Sequence, residues 1–289
     1  GLLPLHATGH AEHLASARRS GHADWRLTTA DLSPLRRLVP SSVAIPNGMS
    51  ARGEAGFRGD DYTTRLRLSI PGGSLGASGR ANLATEHYAL SATAQTLPLD
   101  AFLPGMGLSD FSGSLAASGR GFDPLALRSS LHARATVGAF SYSGYPLDSL
   151  TLNADMAGGM AHATFTAQNR LVQGNGTIDA RLAPDSLTAT LRADVPLISL
   201  RQLTGGKDST DIGASIGLNV AARRDFTAFD IDGSLSDIRF MTAMKSVTMR
   251  DITFALGTAP DTTYALMRSG DLDLRLLGRD DAGRLATQA

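Results

Sequence analysis

Cysteine is absent from this 289-residue chain, so disulfide staples and thiolate catalysis are excluded and the compartment can be reducing or oxidising. An excess of one charge is also missing. The 27 basic side chains are balanced by 27 acidic ones, which gives no general attraction to nucleic acid or to an anionic surface. No apolar run approaches the ~18 residues of a membrane-spanning helix. The first residues, "GLLPLHATGH", have neither an initiator Met nor the charged-then-apolar order of a signal peptide, and they read as the start of a section of a longer chain. Aromatic residues make up only 6% of the sequence, too few to fill a thick core.

What is present is period-two alternation. Apolar residues recur at Tyr62, Leu66, Leu68 and Ile70, at Tyr88, Leu90, Ala92 and Ala94, at Leu131 to Val137, and at Leu150, Leu152, Ala154 and Met156. Ala161 to Ala167 return after a reversal at Gly158-Gly159. Ile178 to Leu182, Leu187 to Val195, Ala214 to Val220, Phe229 and Ile231, Ile238 and Phe240, Ile252 to Leu256, and Leu272 to Leu276 follow the same rule. Turn signals stand between them: "PGG", "GYP", "AGG", "GNG", "APDS" and "APDTT". One apolar side per strand, at a spacing of roughly ten to fifteen residues, predicts an all-β antiparallel meander of about 18 strands. A sheet of more than ~10 strands must curl, so the apolar face becomes the inside of a groove.

Helical punctuation is sparse. "ADLSPLRRLVP" (30–40), "QTLPLDAFLPGMGL" (95–108) and "ADVPLISLRQLTGG" (193–206) each run a strand end into Leu, a short helical turn, and Pro or Gly. Their uneven spacing predicts a loose repeat along one continuous elongated segment, residues 1–289.

Catalytic motifs do not hold together. "GGSLG" (72–76) and "GASIG" (213–217) satisfy G-x-S-x-G, but neither Ser74 nor Ser215 precedes the helix that a nucleophile elbow requires. His6, His10, His13 and His22 do not match a closed metal site, because His10 and His13 fall on opposite sides of a strand. The acid pairs of "RGDDY" and "GRDDAG", and "DSTD", sit at turn signals, where solvated loops are expected. "GRGFDP" and "GNGTID" lack the phosphate-loop Lys and a following helix, and the Arg pairs of "RRLV" and "AARRDF" have no aromatic platform for nucleic acid. Neither a cofactor nor a metal is predicted, and the chain reads as non-enzymatic.

Alanine is a poor strand former, yet Ala92, Ala94, Ala133, Ala135, Ala161, Ala163, Ala189 and Ala193 occupy apolar strand positions beside Leu. Small side chains leave room for an occupant. The punctuation marks, the segment "LPLDAFLPGMGLSDFSGSLAASGRGFDPLALRSSLHARATVGAFSYSGYPLDSLTLNADMAGG" and the later "DTTYALMRSGDLDLRLLG" resemble the TamB proteins. These are the translocation and assembly module subunits of the AsmA-like superfamily, and the similarity is greatest to the form found in the Bacteroidetes.

The resemblance runs from about Trp25 to Gly278 and rests on Leu, Gly and Pro patterns. It implies a curled β-taco groove in the periplasm of a diderm bacterium, tied to the inner membrane by an anchor outside this section. It also implies phospholipid carriage toward the outer membrane, or outer-membrane protein assembly beside a barrel partner. About 18 strands at ~4.8 Å would give a rod of roughly 85 Å.

On this reading the groove candidates are Leu66, Leu68, Leu90, Leu131, Leu150, Leu152, Phe165, Ile178, Leu182, Leu191, Ile216 and Leu218. Their partners would be phospholipid acyl chains, with no nucleic acid. Two other readings stay open: a packed structural β-solenoid that binds proteins by its edges, and a hydrolase built on Ser74 or Ser215.

Overall fold

The computed structural model describes residues 5–28, 44, 46–205, 210–225 and 227–279. The chain is all-β, and its described residues form eighteen strands in one antiparallel sheet, a two-stranded ribbon and two short helical turns. It divides into two compact units, Gly1–Phe122 with Ser130–Asn153, and Asp123–Ser129 with Ala154–Ala289.

In the first unit the strands are β1 (Leu5–Glu12), β2 (Ser20–Thr28), β3 (Ser50–Arg58), β4 (Asp61–Ile70), β5 (Gly73–Asn82) and β6 (His87–Pro98). The turn α1 (Leu99–Phe102) leads to β7 (Asp110–Arg120) and β8 (Ser130–Ala139), followed by a ribbon of β9 (Ser141–Tyr142) and β10 (Tyr145–Pro146). From β1 to β8 each strand pairs antiparallel with the next, a plain meander. Strand β11 (Leu150–Ala157) is divided between the units.

The second unit holds β12 (Met160–Gln168), β13 (Val172–Leu182), β14 (Ser186–Ser199), α2 (Leu200–Thr204), β15 (Asp211–Arg223) and β16 (Phe229–Met241). It continues through β17 (Ser246–Thr248), β18 (Ile252–Ala259), β19 (Thr262–Ser269) and β20 (Leu272–Gly278). These also pair in sequence order, with β17 and β18 both on β16.

The predicted punctuation is present at two of its three places. Strand β6 ends at Pro98 and α1 follows; β14 ends at Ser199, and α2 closes at Gly205, which adopts the left-handed conformation (φ 65°) of a helix C-cap. The third, residues 30–40, lies outside the described residues, as do both members of the acid pair in "GRDDAG", Asp280 and Asp281, and Asp208 of "DSTD".

A bulge precedes each turn. Register slips between Ala94 and Leu97 in β6, where Thr96 takes φ 48° and donates its N–H to Ser112 Oγ at 2.9 Å. It slips again between Val195 and Ile198 in β14, which accommodates Pro196, a residue with no N–H to give to a ladder. Strand β16 slips at Asp237 (φ 52°) against Gly213 and Ser215.

Two sequence expectations are corrected. "GNG" is not a turn: Gly174 to Gly176 lie inside β13, at a register shift between Gln173 and Asn175. Strands β1, β2, β3, β5 and β7 escaped the hydrophobic pattern because their inward positions are largely Gly and Ala, which give a weak period-two signal.

Candidate functional site

Cross-strand register sorts the side chains of each unit into two chemically distinct faces. In the first unit, Ala7, Trp25, Gly53, Leu66, Ala77, Ala92, Leu115 and Ala135 stand opposite one another from β1 to β8, an unbroken apolar row. The neighbouring row on that face is Gly9, Ala23, Ala55, Thr64, Gly79, Leu90, Ala117 and Ala133. Intervening residues such as Asp24, Arg52, Arg65, Ser78 and Ser91 occupy the other face, as period-two geometry demands.

The second unit repeats the arrangement. Ala163, Ile178, Leu191, Leu218, Gly233, Phe254, Met267 and Leu274 form one apolar row, and Ala161, Ala180, Ala189, Val220, Ile231, Leu256, Ala265 and Leu276 another. Its reverse face carries His162 against Asp179 at 2.7 Å and Thr190 bonded to Asn219 at 3.0 Å.

These apolar faces are only partly covered. Leu90 and Leu115 are 42% and 41% exposed, and Leu274 and Leu276 are 49% and 72% exposed. In the first unit the apolar face is concave over β1 to β6, enclosing about 790 Å³ above Gly9, Ala23, Ala55, Gly79 and Ala81, with Phe57, Tyr62, Tyr88 and Leu90 also lining it. That volume falls within the ~300–1,000 Å³ of a ligand pocket.

In both units several aromatic rings lie along the sheet. Trp25 lies over Gly53, Phe57 over Gly21, Phe165 over Gly176 and Phe254 over Gly233. In every case the ring covers its direct cross-strand partner so closely that a Cβ there would overlap it. Tyr88 covers Gly119 in the same way. A glycine opposite each ring lets the aromatic lie along the sheet, so the face keeps a low profile even where it carries its largest side chains.

Pairing register assigns the sequence-predicted candidates to faces within each unit. Leu66, Leu68, Leu90 and Leu131 share the apolar face of the first, and Phe165, Ile178, Leu182, Leu191, Ile216 and Leu218 that of the second. Leu150 and Leu152 share one side of β11, Leu152 at 40% exposure. Only Leu90 of the twelve lines the 790 Å³ concavity. Its floor of Gly and Ala was missed because those residues look inert in a hydrophobicity pattern. A glycine recurring opposite an aromatic is the signal that could have found it.

Neither serine of the G-x-S-x-G matches sits at a nucleophile elbow. Ser74 lies inside β5 and Ser215 inside β15, neither at a strand-to-helix turn, and Ser215 Oγ donates to Asp194 Oδ1 at 3.4 Å. Among the described residues no three His, Asp or Glu side chains cluster as metal ligands. His10 and His22 face each other across β1 and β2 with ring centres 6.4 Å apart, and His22 Nε2 engages Asp24 at 2.9 Å.

The displaced proton affinities have local causes. Hydrogen bonds from Thr227 lower that of Asp225, the Arg275 guanidinium lowers that of Asp273, and a hydrogen bond to the Asp230 carboxylate raises that of the Tyr264 hydroxyl. None of these groups lines the concavity.

No protein-family model, curated protein or solved structure matches this chain.

Proposed function

We propose that this chain is a non-enzymatic conduit segment whose apolar sheet face receives the acyl chains of phospholipids. It would work in the periplasm between inner and outer membrane, in the manner implied by its resemblance to the TamB proteins. The observation that carries the reading is the set of apolar rows, each in register across eight strands of a unit and left partly open to solvent.

The energetics suit such a role. Two acyl chains of about 16 carbons cost roughly 25 kcal/mol to expose to water at ~0.8 kcal/mol per CH2, and an accessible apolar face removes much of that barrier. Polar anchoring within the face is slight, Thr64 being an exception, so a chain resting there meets few groups that would fix it in one position.

The direct test is lipid content. The full-length protein, purified in mild detergent and examined by native mass spectrometry and solvent extraction, should carry phospholipid, and the delipidated protein should take it up from phosphatidylethanolamine vesicles. Protein that carries none and takes up none would overturn the reading.

A second reading has one observation in its favour. Strand β20 pairs only with β19 among the described residues, and its Leu272, Leu274 and Leu276 are well exposed, which suits a scaffold that meets protein partners by strand addition. On that reading the partner would be the outer-membrane barrel protein of the assembly module, and crosslinks at β20 would recover protein in place of lipid.

A further inference from the structure

The polar face of the first unit carries a second concavity, of about 1020 Å³, whose lining includes Arg26, Arg52, Arg65 and Arg67. Register places Arg26 of β2 directly opposite Arg52 of β3, and Arg52 directly opposite Arg67 of β4. Three guanidinium-bearing side chains therefore leave adjacent strands at one level, ~4.8 Å apart. Like charges directly opposite one another destabilise a sheet.

The acids that could relieve this repulsion are engaged elsewhere. Glu54 is bonded to Arg65 at 3.5 Å and Asp24 to His22 at 2.9 Å, and none of the three ladder arginines forms an ion pair within the described residues.

The surroundings are shaped for an anion. Beyond Arg67 the next residue in register is Gly76, with open space where its side chain would be, and then Thr93. Beside them the Ser78 and Ser91 hydroxyls meet at 2.8 Å. A wall of guanidinium groups thus borders a low floor supplied with hydroxyl groups.

We propose that this ladder binds a ligand bearing two neighbouring phosphoryl groups. The planar guanidinium fork matches phosphate oxygens in bidentate fashion, a phosphoryl group fits between guanidiniums from adjacent strands, and three arginines provide two such positions. The ligand supplies the negative charge that the unliganded ladder lacks. This inference rests on the polar face and is independent of what the apolar face carries.

The test is calorimetric titration of the purified full-length protein with sodium pyrophosphate at low ionic strength. Wild-type protein should bind saturably, more tightly than it binds inorganic phosphate. Arg52→Gln should weaken binding about tenfold or more, since it removes charge-assisted bonds to both positions. Arg52→Lys should fall between, because it keeps the charge and loses the fork. Arg134→Gln, on the same face of β8 and away from the ladder, should bind as wild type does.

A vesicle arm separates the sources of phosphate. Arg52-dependent binding to vesicles of cardiolipin, whose headgroup carries two phosphates, together with pyrophosphate binding, identifies a lipid headgroup; Arg52-dependent pyrophosphate binding without vesicle binding identifies a soluble ligand. Absence of saturable pyrophosphate binding, or equal loss in Arg52→Gln and Arg134→Gln, overturns the proposal.

Discussion

The strand ends that run into α1 and α2 and the middle of the same apolar face are built from similar residues, yet they are covered to different degrees. At the bulged ends, Ala51, Ile70 and Ala94 in the first unit and Ala167, Leu171, Val195, Ala214 and Ile238 in the second are all under a tenth exposed. Away from those ends on the same faces, Leu90, Leu115 and Leu256 remain about two-fifths exposed.

Local devices produce the difference. In the first unit α1 packs on β7 and is held by a hydrogen bond from Ala44 N–H to the Phe102 carbonyl. In the second, α2 packs on β15, and the buried Asn169 carboxamide oxygen accepts from the N–H groups of Leu171 and Val172, closing the β12–β13 turn. Most of the tight packing thus lies at one margin of each unit, Ala222 at the far end of β15 being an exception, and much of the rest of the face stays exposed. A protein that packed its whole apolar face would be more stable and would have nowhere to put a ligand.

The comparison makes unequal demands on mutants. Ile238→Ala, at the packed margin, should destabilise by about 3 kcal/mol through lost burial and a residual cavity, read as a lower urea midpoint at unchanged slope. Gly53→Val should cost about 1–3 kcal/mol by forcing Trp25 off the sheet, and because Trp25 is the sole tryptophan its emission should shift to the red. Leu90→Ala should cost less than about 1 kcal/mol in the same urea experiment, since its side chain is already partly in water. Equal losses at Leu90 and Ile238 would break the contrast between open face and packed margin.

The smallest effect concerns Tyr264, on the reverse face of the second unit. Its hydroxyl donates to Asp230 at 2.9 Å, and the bond raises the folded-state proton affinity above the ordinary value of 10.0. A raised folded value means stability that is present at lower pH and lost as pH rises through and beyond 10. The group is largely solvated, so Tyr264→Phe should remove only a few tenths of a kcal/mol at neutral pH. The variant should match wild type in strongly alkaline urea titrations.

Much of this architecture is legible in the residues. The phase of the alternation changes within single strands: Tyr88, Leu90, Ala92 and Ala94 give way to Leu97, Leu191, Ala193 and Val195 to Ile198, and Phe229 and Ile231 to Ile238 and Phe240. Each change of parity marks a bulge, because one extra residue turns every later side chain to the opposite side. The "AGG" reversal is also as read, with Gly158 and Gly159 both at positive φ.

What escaped the reading has a common cause. Residues with little or no side chain carry little hydrophobic signal, so the Gly and Ala floor of the first concavity and strands such as "SARGEAGFR" and "GSLGASGRAN" stayed hidden. The arginine ladder was hidden for a different reason. Arg26, Arg52 and Arg67 are far apart along the chain and meet only through pairing register.

The most direct test of the central claim is site-specific photo-crosslinking in the full-length protein in cells, with the probe at Leu90 and Leu191 and, as reverse-face controls one residue away, at Ser91 and Thr190. Mass spectrometry should find phospholipid adducts at the two leucine positions and none at the controls. Protein adducts without lipid at Leu90 and Leu191, or lipid in equal amounts on both faces, would contradict a conduit built on the apolar face.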